Sequence, residues 1–195
     1  SLSKQFNLFE DFLIKENIKF FSSYSMSKYA SWRVGATTPF IIYPKNLKEF
    51  KLIILKDKKR KIKFYISGNG SNSLFVRLSK TIIISTKKLN KIKFGSDGKV
   101  TVEAGASLNL MLNRSLKKGL LGFEFSSGIP GTIGGALITN AGANGGTISE
   151  ILESVTFLKE NSEIEVPKSK ILFGYRYSSI TREDIIIKAN FKLKS

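Results

Sequence analysis

Residues 119–146 read GLLGFEFSSGIPGTIGGALITNAGANGG and hold nine of the chain's sixteen glycines. They are Gly119, Gly122, Gly128, Gly131, Gly134, Gly135, Gly142, Gly145 and Gly146. No helical or strand periodicity calls for that density. Glycine is placed where the backbone takes positive φ, or where another group must lie close against the main chain. The stretch carries one charged residue, Glu124, in a chain otherwise rich in lysine. Two readings follow: a phosphate-bearing ligand laid against exposed N–H groups, or a glycine-rich structural loop. Short glycine motifs alone do not separate them.

At 195 residues, 42% hydrophobic and 11% aromatic, the chain can bury a core as one large domain or two small ones. It contains no run of about 18 apolar residues that would span a membrane. The opening SLSKQFNLFEDFL breaks its apolar residues with Glu10 and Asp11, unlike a signal peptide. The lack of cysteine and histidine removes disulfides, thiolate and zinc sites, and Ser-His-Asp catalysis. These features fit a cytoplasmic protein. A net charge of +17, from 32 Lys and Arg against 15 Asp and Glu, raises the question of nucleic acid. The excess is nearly all lysine, dispersed apart from one cluster at 56–63, and arginine, the preferred base reader, is scarce. The expectation is a general attraction for anionic substrates, with neither nucleic acid nor membrane as partner.

Along the chain, residues 4–17 read as an amphipathic helix, with Phe6, Phe9, Phe12 and Leu13 apolar. A short strand at Phe40–Tyr43 stops at Pro44, and Asn46 with Glu49 resembles a capping box opening a helix to about Lys58. Residues 63–67 read as a strand leading into Gly68-Asn-Gly-Ser-Asn72, with further strands at Ser73–Val76 and Thr81–Ile84. A Walker loop would need GxxxxGK[ST] and a following helix; a Rossmann fingerprint would need glycine at Ser73 and a helix. Neither is met. The turn is either a nest able to hold a pyrophosphate or an ordinary hairpin turn. Lys99–Ala104 alternates as a strand. Ser107 caps a helix through Lys118, with Leu108, Met111, Leu112 and Leu116 on one face and Gly119 ending it. Thr132–Asn140 reads as a short helix. Strands follow at Glu153–Lys159 and Ile185–Leu193, with a turn near Asn161-Ser162. The mixed element order favours an α+β fold over a doubly wound sheet.

Taken in order, the motifs resemble one family, UDP-N-acetylenolpyruvoylglucosamine reductase. Trp32-Arg-Val-Gly35 resembles the family's opening box, with Ala36 where a second glycine stands. Gly68–Asn72 is similar to the loop that holds the FAD pyrophosphate. Gly119–Phe125, Gly128–Ala136 and Asn140–Ala143 resemble its second flavin-binding segment, and Gly174-Tyr-Arg-Tyr-Ser178 its Tyr-Arg-x-Ser motif. The resemblance implies a two-subdomain α+β fold of the vanillyl-alcohol-oxidase type, not a Rossmann fold. Its subdomains would fall at residues 1–80 and 81–195. FAD contacts would fall on Gly68, Asn69, Gly70, Ser71 and Asn72. They would also fall on Gly128, Ile129, Pro130, Gly131, Thr132, Gly134, Gly135, Asn140, Gly142 and Ala143.

The resemblance also implies two half-reactions, with NADPH reducing the flavin and the flavin passing hydride to a UDP-linked enolpyruvyl amino sugar, in a monomer. Arg176 would grip the substrate carboxylate and stabilise the charge that develops as hydride arrives. Read without the family, Arg176 is a surface arginine paired with a nearby acid such as Glu183 or Asp184. Tyr175 either orients the substrate or packs as an ordinary aromatic. The family's third domain, with its proton-donating Ser or Cys and late glutamate, has no match here. The chain therefore reads as a fragment or a reduced relative of little turnover by itself. Asn144 stands where the family often has Tyr.

Overall fold

The computed structural model describes residues 2–25, 37–57, 63–68 and 81–195. The Trp32–Gly35 box with Ala36, the residues Asn69, Gly70, Ser71 and Asn72, the strand expected at Ser73–Val76, and Lys58 lie outside the described residues. The chain separates into two units, Ser1–Leu89 and Asn90–Ser195.

In the first unit, helix α1 (Leu2–Lys15) precedes strands β1 (Lys19–Ser25) and β2 (Thr37–Tyr43). Helix α2 (Leu47–Asp57) leads to β3 (Lys63–Ser67), and β4 (Thr81–Ser85) completes a sheet in the order β1-β2-β4-β3. β1 runs antiparallel to β2, while β4 is parallel to both of its neighbours. The runs at Phe40–Ile42 and Ile82–Ile84 are buried throughout, as expected for central strands covered on both faces. Phe9 of α1 lies 6.0 Å from the rings of Phe40 and Phe64, which seats the helix on the sheet. At α2 the Glu49 N–H donates to Asn46 Oδ1 at 2.9 Å, as the capping box requires. The Glu49 carboxylate reaches one residue further back than expected, accepting from the Lys45 N–H at 3.1 Å. Because β4 pairs between β2 and β3, residues 81–85 belong with this first sheet. The division between the units therefore falls after Leu89 rather than after residue 80.

The second unit opens with β5 (Ile92–Phe94) and β6 (Lys99–Glu103), then α3 (Leu108–Lys117). A 3₁₀ turn at Glu124–Ser126 precedes α4 (Ile133–Thr139), the hairpin β7 (Gly142–Ala143) and β8 (Gly146–Thr147), and α5 (Ile148–Ile151). Then come β9 (Leu152–Lys159), β10 (Ser162–Pro167), the small hairpin β11 (Phe173–Gly174) and β12 (Tyr177–Ser178), and β13 (Ile185–Lys192). The main sheet is antiparallel in the order β10-β9-β13-β6-β5. Glu160 and Asn161, both with positive φ, form the β9–β10 turn, one residue before its expected place.

Ser107 caps α3 as expected, its Oγ accepting from the Leu110 N–H at 3.0 Å. The buried face of α3 is Leu108, Met111, Leu112 and Ser115; Leu116, expected on it, is exposed. Ser115 is tolerated there because its hydroxyl donates to the Leu112 carbonyl at 2.9 Å, so the buried hydroxyl has a partner.

Candidate functional site

The glycine-rich stretch is anchored by aromatic packing. Phe123 is fully buried, 5.1 Å from the Phe191 ring and 5.7 Å from Phe125. From this anchor the 3₁₀ turn closes, with the Ser126 hydroxyl on the Phe123 carbonyl at 2.7 Å and the Ile129 N–H on the Ser126 carbonyl at 2.9 Å. The next residues leave regular structure. Gly131 has φ 119, a value that L side chains rarely adopt, and a Cβ built on Gly128 or Gly131 would meet nothing within 4 Å. The N–H groups of Gly128, Gly131 and Thr132 donate to no described residue. Residues 128–132 thus form a strip of backbone with open space beside it and three donors that no described residue accepts. That is the geometry by which a ligand lies directly on a main chain.

The start of α4 is different. Its first three N–H groups are already spent: Ile133 on the Ala106 carbonyl, Gly134 on the Ala104 carbonyl, and Gly135 on the Thr132 hydroxyl at 3.2 Å. The side chain of Thr132 is therefore a helix cap. An added Cβ on Gly134 would stand 3.4 Å from Ala104, and one on Gly142 would come within 2.6 Å of the Gly146 carbonyl and of Thr147 Cγ2. These glycines answer to internal packing. Asn144 and Gly145, both with positive φ, make the two-residue turn between β7 and β8, the conformation for which Asn-Gly is favoured. That gives Asn144 a local reason for being Asn.

Asn140 ends α4 in the left-handed conformation and is 7% exposed. Its Nδ2 donates to the Gly174 carbonyl at 2.8 Å and its Oδ1 accepts from the Ser149 N–H at 3.3 Å. The side chain expected to touch the cofactor thus makes one donated and one accepted bond within the fold. Gly142 and Ala143 are exposed in the β7–β8 hairpin.

Arg176 and Tyr175 form the tip of the β11–β12 hairpin. Arg176 is exposed with φ 50, and its guanidinium lies 5.2 Å from the Tyr175 ring centroid. Tyr175 is 88% exposed, which removes the packed-aromatic reading. No carboxylate among the described residues pairs with Arg176; Asp184 is occupied instead by the Thr181 N–H at 2.7 Å. Ser178, quoted in the sequence only as the end of its motif, is the buried member. Its Oγ donates to the Ile138 carbonyl at 2.7 Å and accepts from the Ile180 N–H at 3.2 Å. Of the earlier turn, Gly68 follows Ser67 at the end of β3, and the Ser67 carbonyl accepts from the Thr86 N–H at 2.8 Å. Among the described residues no cluster of acidic side chains could hold a metal ion, and no helix is long and apolar enough to cross a membrane.

Residues 38–166 match the FAD binding domain family. The chain is 36% identical over 189 residues to UDP-N-acetylenolpyruvoylglucosamine reductase of Clostridium novyi (strain NT), covering 95% of this chain and 60% of that protein. To the protein of the same name from Clostridium tetani it is 37% identical over 191 residues, covering 96% of this chain and 61% of that one. It thus spans about three fifths of the length of these curated relatives. The crystal structure of UDP-N-acetylenolpyruvylglucosamine reductase from Thermus caldophilus is similar, with a TM-score of 0.70 at 24% identity. That match covers 91% of this chain and 62% of that one. Cholesterol oxidase from Brevibacterium sterolicum gives a TM-score of 0.63 at 16% identity, over 91% of this chain and 38% of that one. These likenesses establish the expected α+β FAD-binding fold of the vanillyl-alcohol-oxidase type.

Proposed function

Since the chain belongs to the FAD binding domain family, we propose that it is the flavin-holding portion of an NADPH-dependent UDP-N-acetylenolpyruvoylglucosamine reductase. Such an enzyme makes UDP-N-acetylmuramate for peptidoglycan. The observation that carries this reading is the 36% identity to proteins of that name across 95% of the chain. The open backbone beside Gly128 and Gly131 supports the cofactor part, since a Cβ would fill the space that a flavin nucleotide needs. Bound FAD would supply the hydride chemistry, from NADPH to the enol-ether carbon of a UDP-linked enolpyruvyl amino sugar.

The roles left to this chain are binding and charge. Gly128, Ile129, Pro130, Gly131 and Thr132 would hold the cofactor chiefly through backbone contact, and Gly68 to Asn72 would take the pyrophosphate. Arg176 would hold the enolpyruvyl carboxylate and offset its growing negative charge, because a guanidinium stays protonated at working pH and can bind a carboxylate with two donors. Tyr175 beside it would keep the guanidinium plane in place. The reading carries with it a cytoplasmic location, where nucleotide sugars and NADPH are made, and a monomeric state.

FAD titration of the purified chain should quench flavin fluorescence and leave a yellow protein; a colourless protein with no quench would overturn the cofactor assignment. In the full-length protein, Arg176→Ala should slow flavin reoxidation by the enolpyruvyl substrate about a hundredfold or more, the scale of a lost oxyanion donor. Flavin reduction by NADPH should change little. Equal slowing of both would end the role of Arg176 as substrate activator. Flavin that NADPH reduces but the enolpyruvyl substrate does not reoxidise would indicate another FAD-linked oxidoreductase of this fold. Flavin bound without any reduction would indicate a non-catalytic module.

A further inference from the structure

The hairpin that carries Arg176 is tied to α4 at two points. The Asn140 side chain donates to the Gly174 carbonyl at one strand of the hairpin, across 34 residues of sequence. The Ser178 hydroxyl donates from the other strand to the Ile138 carbonyl, across 40 residues. Ile138 lies in the last turn of α4, where carbonyls lack an intrahelical partner, so the hairpin caps the helix as the helix holds the hairpin. Asn140 and Ser178 are both buried, and both are held from behind. Asn140 Oδ1 accepts from the Ser149 N–H, and Ser178 Oγ accepts from the Ile180 N–H. Arg176 sits two residues from each tie, exposed and without an ion-pair partner among the described residues. Ile171 and Ile180, on either side of the hairpin, are buried in the core with Ala136 and Leu137, and the Ser179 N–H closes its base on the Leu172 carbonyl at 2.8 Å. The two ties are the side-chain hydrogen bonds that join the hairpin to α4 and its cap.

We propose that Asn140 and Ser178 are positioning residues for Arg176. They set the tip of the β11–β12 hairpin relative to the segment that follows the cofactor strip. The proposal rests on the reading of Arg176 as the carboxylate-holding residue. It also gives the serine of the Tyr-Arg-x-Ser pattern a physical purpose, since its one hydroxyl is donor to α4 and acceptor from the chain leaving the hairpin.

The test uses Ser178→Ala and Asn140→Gly. Glycine is chosen at Asn140 because it takes φ 49 freely, so the change reports the lost side chain and not a strained backbone. In the 195-residue chain, trypsin cleavage of the Arg176–Tyr177 bond, followed by mass spectrometry, should speed about tenfold in each variant. In the full-length protein, flavin reoxidation by the enolpyruvyl substrate should slow about tenfold, while flavin reduction by NADPH and FAD affinity stay within threefold. A merely structural role would lower FAD affinity or flavin reduction by as much as reoxidation, and that result would overturn the proposal. Unchanged cleavage would overturn it too, as would faster cleavage with unchanged reoxidation. Should Asn140→Gly fail to fold, Ser178→Ala decides alone. If Arg176→Ala itself leaves reoxidation unaltered, the substrate reading falls, and this proposal falls with it whatever the cleavage rates show.

Discussion

The two halves of the glycine-rich stretch use the same residue for opposite purposes. In residues 128–132, Gly131 takes a φ of 119 beside open space, and three N–H groups donate to no described residue. In residues 133–147 the N–H groups at the start of α4 are paired, and Gly142 is needed because a carbonyl and a methyl lie where its Cβ would be. Composition does not distinguish the halves; the surroundings of Gly131 and Gly142 do. Glycine beside empty space serves a turn at Gly145 and, in the proposed reading, an approach from outside the chain at Gly131. Glycine beside protein marks where the chain approaches itself.

This contrast can be broken by substitution. The largest effect on stability should come from Gly142→Val, whose Cβ would lie within 2.6 Å of backbone and side-chain atoms of β8. Overpacking of this kind costs about 3 kcal/mol, seen as a lower melting temperature. A melting point equal to wild type would mean that the hairpin is not packed as described. Thr132→Ala should cost about 1 kcal/mol through loss of the α4 cap. No change in denaturant midpoint would show that the cap bond contributes nothing. Smallest should be Gly134→Ala, where ordinary contact with Ala104 at 3.4 Å offsets the helix-propensity gain, leaving less than about 1 kcal/mol in either direction. A loss of several kcal/mol would mean a tighter α4 contact than the Cβ distances indicate.

How far the sequence reached depended on the range of each interaction. Caps at Asn46 and Ser107 were legible because a small polar residue and its N–H lie three residues apart, whereas the same cap at Thr132 was not singled out. Buried strands at Phe40–Ile42 and Ile82–Ile84 were legible as continuous apolar runs. Strand β1, reading KFFSSYS, escaped because it lacks clean alternation, and its antiparallel pairing with β2 is what makes it a strand. The face of α3 was misplaced by one position because Ser115 looks polar until its hydroxyl finds the Leu112 carbonyl. The side-chain bond from Asn140 to the Gly174 carbonyl was not legible, because the two residues lie 34 apart in the chain. The division after residue 80 came with the family resemblance, whereas the parallel pairing of β4 between β2 and β3 holds residues 81–85 in the first sheet.

The open strip at residues 128–132 was legible only as a density of glycines. Which of them face outward depends on Phe123, Phe125 and the Ala104–Ala106 turn, each of which removes N–H groups or space from the later residues. Gly131 is therefore the position on which the proposed cofactor site depends most. The direct measurement is FAD titration of Gly131→Val beside Gly142→Val, with the folded fraction of each determined by its melting curve. Gly131→Val should lose FAD retention altogether, beyond what its lower stability explains, whereas folded Gly142→Val should bind FAD within a few fold of wild type. Wild-type FAD affinity in Gly131→Val would contradict the claim that the cofactor lies against this backbone.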